Sequence, residues 1–402
     1  MSGKLRSTAV IVSAGVGLFA GHALYSGNAK FYSEVAMPAL QTVLSPEASH
    51  NFAIAAAKYG IYPRINATTP QNLRITTLGY NFDNPVGLAA GFDKHCEAIH
   101  GLLGFGFGFI EVGAVTPEPQ PGNDKPRVFR LAEDRAIINR YGFNSVGHDA
   151  AYANFKEWFD ENGPDSSRGK VGINLGKNKH KQDAVDDYVK GVEVFGPVAD
   201  FLVINVSSPN TPGLRQLQGQ QELKLILDRV VDAREKLEQK PPILVKISPD
   251  LSEKDCIDIA AVVGSKQSGV DGLIVSNSTV TRPEYLQSES RGETGGLSGA
   301  PLRDMSTRMI QQMYRLTAGR MCIIGVGGVF TGQDALDKIK AGASLIQLYT
   351  ALAYNGPPVI QTIKTELAQL LEKEGFESVS DAIGVDVRGR SPEEHQKSHK
   401  ES

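Results

Sequence analysis

Eight short apolar runs recur between residues 86 and 348, and they restrict the fold more than any other feature of the chain. They are Val86–Ala90, Phe109–Val112, Val171–Asn174, Phe201–Val206, Ile243–Ile247, Gly272–Ser276, Cys322–Gly325 and Leu345–Leu348. Runs this short and this rich in Val, Ile and Leu read as strands buried on both faces. Amphipathic stretches such as Gln221–Leu237 and Ser252–Val263 lie between them. Strands joined through helices must run parallel, because each connection has to cross back over the sheet. Eight such units in succession imply an α/β fold of the (β/α)8 TIM-barrel type rather than an open sheet. No repeat of solenoid length is visible.

Small and polar residues stand at the C-terminal ends of these runs, where parallel barrels hold their ligands. In order they are Ala89-Ala90-Gly91-Phe92-Asp93-Lys94, Gly113-Ala114-Val115-Thr116 and Asn174-Leu175-Gly176-Lys177-Asn178. Asn205 to Thr211, Lys246, Ser276-Asn277-Ser278, Gly325 to Gly328 and Tyr349-Thr350 follow. The fourth run, FLVINVSSPNT, delivers Asn205, Ser207, Ser208 and Asn210 together before Pro209 breaks the strand. Such a cluster can grip a flat polar ring by its edge and let a serine move a proton. It is equally a common Ser/Pro/Asn turn, and the residues alone leave both readings open. Gly327-Gly328 and Tyr349-Thr350 follow the seventh and eighth strands, where barrels often bind a phosphate, and Ser298-Gly299 lies just ahead of them.

Composition excludes several classes. The chain has 402 residues and a formal net charge of −3, with no basic run to bind nucleic acid. Its three cysteines are far apart and make neither a disulfide framework nor a metal-ligand spacing. The eight histidines contain no H-E-x-x-H, so no catalytic metal is expected.

The N-terminus is different material. Thr8–Leu24 carries no formal charge, follows Lys4 and Arg6, and precedes the first acid, Glu34. A 17-residue segment of this kind is at the lower limit for a spanning helix, and its three glycines weaken it further. A basic, acid-free leader with a retained anchor suits mitochondrial import better than secretion or a buried helix. Two short helices are expected next, split at Ser45-Pro46 and ended by Gly60. Beside an anchor they can lie in the headgroup region as a doorway for a lipid-soluble molecule, or simply cap one end of a barrel.

The segments NPVGLAAGFDKH, RVFRL, INRYGFNS, GINLGKNK, VINVSSPNT, VKISPD, ETGGLSGAPLRD, IIGVGGV and LIQLYTAL closely resemble the membrane-bound, quinone-reducing class of dihydroorotate dehydrogenases, from the anchor to about Gly384. The resemblance implies oxidation of dihydroorotate to orotate, in de novo pyrimidine biosynthesis, with FMN as hydride acceptor and ubiquinone as final acceptor. It places Ala89, Ala90, Gly91, Gly113, Ala114, Asn174, Asn205, Lys246, Ser276, Ser298, Gly299, Gly328, Tyr349 and Thr350 around FMN. Lys246 would meet the pyrimidine edge of the flavin, or else be a salt-bridged barrel lysine. Substrate would meet Lys94, Asn139, Arg140, Tyr141, Gly142, Phe143, Asn205, Asn210, Asn277 and Ser278. Ser208 would take the proton from C5 while hydride leaves C6, with water or Thr211 relaying the proton onward. Soluble relatives use cysteine as this base, and none stands here. Tyr32, Gln41, His50, Arg130 and Tyr349 would line the quinone tunnel, although sequence alone reads Arg130 as a surface cation. Ala114 departs from the serine common in relatives, and Ser276 and Ser278 replace threonines.

The expected organisation is a targeting segment and anchor over 1–30, a helical quinone-access cap over 31–75, the barrel over 76–387 and a disordered polar tail over 388–402. The expected location is the inner mitochondrial membrane, single-pass, with the barrel in the intermembrane space. The competing readings are a 2-hydroxy acid oxidase type of FMN barrel, which favours a histidine base with arginines, and a membrane-anchored protein without catalytic activity.

Overall fold

An antiparallel hairpin of β1 (Ile75–Thr77) and β2 (Tyr80–Phe82) leads into β3 (Val86–Leu88) and β4 (Phe109–Val115). β5 (Val128–Leu131) and β6 (Ala136–Asn139) follow, then β7 (Lys170–Leu175), β8 (Phe201–Asn205), β9 (Ile243–Ile247) and β10 (Gly272–Val275). β11 (Gly296–Gly299), β12 (Cys322–Val326) and β13 (Leu345–Leu348) are the last strands. The structure is a computed structural model that describes residues 3–388 other than 66–67, 164–168, 182 and 266, with side chains described from Ser13 onward. The tail expected to begin at Arg388 therefore lies, beyond that residue, outside the described residues.

Eight strands close a barrel in the order β3-β4-β7-β8-β9-β10-β12-β13, each parallel to its neighbours. These are the eight runs expected from the sequence, with ends shifted at several of them. Helices link them: Gln220–Glu235 turns Leu223, Ile226, Leu227 and Val230 inward at three- and four-residue spacing. Glu253–Val263 starts from a capping box formed by Ser252 and Asp255.

Period-two alternation sends Phe109, Glu111 and Gly113 of β4 to one face, and that face looks into the barrel. The rings of Phe82, Phe109 and Phe201 pack edge to face, with centroids 5.7 and 6.2 Å apart. Glycine is required beside them. A Cβ on Gly87 would come within 2.4 Å of the Phe109 ring, and one on Gly172 within 2.0 Å of Phe201. This aromatic plug supports a polar layer whose centre is Glu111.

A second sheet, of β5, β6 and β11 paired antiparallel, was not anticipated from the sequence. It carries Arg130, Asn139, Ser298 and Gly299, all expected at the site.

The N-terminal region is helical. Gly3–Ser26 is followed, after Gly27 at positive φ, by Ala29–Phe31, a π turn over Tyr32–Ala36, Met37–Val43 and Pro46–Lys58. The π turn stands just ahead of Pro38, whose nitrogen cannot donate the next helical hydrogen bond. Ser45 caps the last helix by accepting from the Ala48 N–H at 3.3 Å, as expected for the Ser45-Pro46 break. The span expected over Thr8–Leu24 falls in the Gly3–Ser26 helix, and its first five side chains lie outside those described. Among the described residues, no helix is long and apolar enough to cross a membrane.

Candidate functional site

One continuous cavity of about 1230 Å³ runs from the C-terminal mouth of the barrel to the N-terminal helices. Strand ends supply its inner wall, with Ala89, Ala90, Asn174, Asn205, Lys246, Ser276 and Tyr349. Tyr32, Gln41 and His50 of the helices, with Arg130 of β5, line its outer part.

The inner wall is a connected polar network. Glu111 is fully buried and accepts from Asn174 Nδ2 at 2.6 Å and from Gln347 Nε2 at 2.9 Å. Lys246 Nζ lies 3.4 Å from each Glu111 oxygen, so the lysine is salt-bridged and lines the cavity as well. Asn205 Nδ2 donates to Asn174 Oδ1 at 2.9 Å, extending the network to the end of β8. Gln347 Oε1 is buried and has no hydrogen-bond partner among the described residues.

The two serines after β8 have different environments. Ser207 Oγ donates to Asn205 Oδ1 at 2.9 Å and accepts from Asn277 Nδ2 at 3.0 Å, so it is engaged and does not line the cavity. Ser208 lines the cavity, and its Oγ accepts from the Asn210 N–H at 3.3 Å. Arg215 ties this loop to its neighbours by donating to Ser207 O, Ser278 O and the Asp250 carboxylate at 3.1, 2.9 and 2.7 Å. Asn210 Nδ2 reaches Asn139 Oδ1 at 3.3 Å, which brings together an amide of β6 and one of the loop after β8. Thr211 Oγ1 is buried without a partner among the described residues.

Lys94 and Phe143 close the same region. The Lys94 ammonium lies 4.0 Å from the centre of the Tyr141 ring, and Arg127 lies 5.0 Å from that ring. Burial, and then the Arg127 charge, push the Lys94 pKa down to about 7. Gly142 and Phe143 both have positive φ, and Phe143 O accepts from Gln120 Nε2 at 2.7 Å, which fixes the turn that presents the ring.

At the end of the barrel formed by β12 and β13, Gly327 and Gly328 have positive φ, and a Cβ on Gly328 would come within 2.5 Å of Arg303. A Cβ on Gly299 would come within 2.3 Å of Arg135 O. The Ser298 and Thr350 hydroxyls lie 3.0 Å apart beside them. Backbone and hydroxyl groups therefore form a lining into which no side chain from these glycines intrudes.

The outer part is mostly apolar. Arg130 and Arg64 line it, and Arg130 is half-buried rather than a free surface cation. It donates to Gln41 O, Leu44 O and Ser49 Oγ at 2.7, 2.8 and 2.8 Å, joining the two N-terminal helices across their break. Gln41 Nε2 donates to Ala353 O at 3.0 Å.

Of the residues expected at the site, Arg140 and Gly113 do not line the cavity. Arg140 turns outward because Glu293 captures its Nη1 at 2.6 Å and the Phe129 ring covers its guanidinium at 4.5 Å. Gly113 stands behind the wall, donating to Asp93 O and accepting from Gly91 N. Glu111, Gln347, Arg127 and Arg215 were missed in the sequence reading. The signal for Glu111 was available: an acid and a lysine, each inside an apolar strand, have to pair.

A parallel barrel with an amide-rich polar site at its C-terminal mouth, open to an apolar tunnel between helices, defines a class of enzyme that joins a polar ligand to a lipid-soluble one. The family model described as dihydroorotate dehydrogenase matches residues 72–371. A mouse protein named mitochondrial dihydroorotate dehydrogenase (quinone) is 54% identical over 383 residues, covering 94% of this chain and 96% of that one. A Xanthobacter autotrophicus dihydroorotate dehydrogenase (quinone) is 48% identical, covering 86% of this chain and 96% of its own. The crystal structure of Eimeria tenella DHODH in complex with ferulenol superposes with a TM-score of 0.83 at 43% identity, over 86% of this chain and 96% of that one. The chain belongs to the dihydroorotate dehydrogenase family.

Proposed function

We propose that this chain oxidises dihydroorotate to orotate with bound FMN and ubiquinone as the final acceptor, a step of de novo pyrimidine biosynthesis. The observation that carries the reading is the single cavity in which Ser208 and the asparagine wall open into the apolar tunnel. The residues present fit FMN. Gln347 Oε1 is a buried acceptor in need of a ring N–H, Lys246 offers a cation, and Gly299 and Gly328 line the cavity beside the Ser298 and Thr350 hydroxyls, where a phosphate would be held. Ala89, Ala90, Gly91, Ala114, Asn174, Asn205, Ser276 and Tyr349 complete the lining, with Gly113 behind it. FMN held there would supply the hydride-accepting redox chemistry that links dihydroorotate to quinone.

The chain's own residues do the rest. Lys94 meets the substrate carboxylate. Asn139, Asn205, Asn210 and Asn277 match a ring edge that both donates and accepts, since each amide does both. Ser278 adds a hydroxyl, and Phe143 packs beside the ring. Ser208 takes the proton from C5, and its hydrogen passes to water or to the unpartnered Thr211 hydroxyl, because a lone serine is a weak base. Tyr32, Gln41, His50, Arg130 and Tyr349 receive the quinone.

The chain divides into an N-terminal attachment segment over 1–30, a helical access cap over 31–75, the barrel over 76–387 and a polar tail. Exposed Phe19, Leu24, Tyr25, Val35, Val43 and Phe52 on the N-terminal helices support attachment to the inner mitochondrial membrane. Single-pass insertion with Lys4 and Arg6 on the matrix side and the barrel in the intermembrane space follows the charge bias. The test is anaerobic: dihydroorotate bleaches the flavin of the purified holoenzyme and a short-chain ubiquinone restores it. Absence of bleaching refutes the activity, and recovery with fumarate or NAD but not quinone refutes the acceptor.

A further inference from the structure

We infer that His50 is a positioning residue for Lys94, which makes the N-terminal helix Pro46–Lys58 a working part of the dihydroorotate site as well as of the tunnel. The inference rests on the proposed function, in which Lys94 meets the substrate carboxylate.

The surroundings of His50 leave its imidazole one arrangement of protons. Nε2 lies 2.6 Å from the Phe92 carbonyl oxygen, which can only accept, so Nε2 carries the hydrogen. Nδ1 is then an acceptor, and two donors converge on it: the Tyr141 hydroxyl at 3.2 Å and the Lys94 ammonium at 3.4 Å. Burial, and then the Lys94 charge, push the His50 pKa down to about 3, which keeps this lone pair available near neutral pH. The ring is itself held against Phe92, Tyr141 and Tyr349, with centroids 5.1, 6.2 and 6.2 Å away.

Lys94 makes no salt bridge among the described residues. The charges around it are committed elsewhere. Glu47 binds Arg127 at 2.8 Å, and Asp93 accepts from the backbone N–H groups of His95, Glu97 and Ala98. The ammonium is thus steered by two neutral groups, the His50 lone pair and the Tyr141 ring face. That choice has a chemical consequence. A carboxylate at the position of His50 would neutralise the lysine and repel an anionic substrate, whereas a neutral acceptor aims the charge without cancelling it. A second cavity of about 310 Å³ is lined by His50, Lys94 and Tyr141 as well, so the imidazole stands between that space and the main cavity at the lysine.

The test uses the full-length holoenzyme without oxygen or quinone, so that any role of His50 in the tunnel is silent. The concentration dependence of flavin bleaching gives the dihydroorotate Kd and the limiting rate separately. His50→Ala is expected to raise Kd about tenfold to a hundredfold, as for loss of a hydrogen bond to a charged group, with the limiting rate little changed. His50→Gln, which returns an acceptor, recovers most of the loss. Should the alanine variant not fold, His50→Phe takes its place, since it fills the space and removes the lone pair. Lys94→Ala is measured in parallel. If it weakens binding and the His50 variants do not, the inference is overturned while the reading of Lys94 stands. If Lys94→Ala binds like the parent, the reading of Lys94 itself is overturned. Equal losses in the alanine and glutamine variants, accompanied by loss of bound flavin, reduce His50 to a structural role and also overturn the inference.

Discussion

Replacing Glu111 by glutamine removes the charge at the centre of the barrel while keeping its shape. In the parent, both carboxylate oxygens lie 3.4 Å from Lys246 Nζ, and each also accepts from an amide, of Asn174 or of Gln347. Lys246 is 5% exposed, and in the holoenzyme the flavin would fill the cavity it lines, so little water can replace the lost partner. A buried ammonium left without its counter-charge costs about 3–5 kcal/mol. The new amide also turns an NH2 toward one of the two amide donors, adding about 1–3 kcal/mol. With an unfolding entropy near 2 cal/mol/K per residue, the ion-pair term alone lowers Tm by about 4–6 °C. The assay is a thermal melt of holoenzyme at fixed scan rate and matched flavin loading. The double variant Glu111→Gln/Lys246→Met restores at least half of the loss, because it removes the stranded charge. A single variant that melts within about 1 °C of the parent refutes the claim that this pair organises the interior.

Three further outcomes follow from the geometry. Arg140→Ala leaves the dihydroorotate Kd nearly unchanged and costs at most about 1 kcal/mol of stability, because its pair with Glu293 is partly exposed and turned from the cavity; a tenfold weaker Kd in the bleaching titration would show that it reaches substrate after all. Arg130→Ala loosens the joint between the two N-terminal helices and raises the KM for quinone about tenfold or more, with the bleaching step unchanged; equal effects on both half-reactions refute that division. Lys94, with its pKa lowered from 10.5 to about 7, binds fewer protons folded than unfolded between those values, so its contribution to stability rises with pH across that window. Over the same window the folded protein loses the ammonium, and orotate affinity falls by up to about tenfold per pH unit above 7; a flat profile from titrations of the flavin spectrum at several pH values contradicts the assignment of Lys94 as counter-ion.

The barrel was legible because short, mainly apolar runs such as Ile243–Ile247 and Leu345–Leu348 have one way to be buried on both faces. The residues at their C-terminal ends were legible for the same reason, since strand order gives them a common face. The sheet of β5, β6 and β11 was not. Its strands are four residues each and lack the uniformly apolar run of the barrel strands, and β11 joins the β5–β6 hairpin across more than 150 residues that no local pattern marks. Only the resemblance chose Ser208 over Ser207 in the sequence; in the structure their partners separate them, since Asn205 and Asn277 engage Ser207 and leave Ser208 facing the cavity. Arg130 looked like a surface cation because the carbonyls that hold it lie more than eighty residues away. The resemblance carried Arg140 to the site along with Asn139 and Tyr141, yet period-two alternation at the end of β6 points it the other way.

The most direct test of the account is the rate of anaerobic flavin bleaching by dihydroorotate in Ser208→Ala, compared with Ser207→Ala. Loss of a positioned base predicts a limiting rate about a hundredfold to ten-thousandfold lower for Ser208→Ala. Flavin content and reoxidation by short-chain ubiquinone should match the parent, and Ser207→Ala should retain most of the rate. Bleaching of Ser208→Ala at the parent rate contradicts the account.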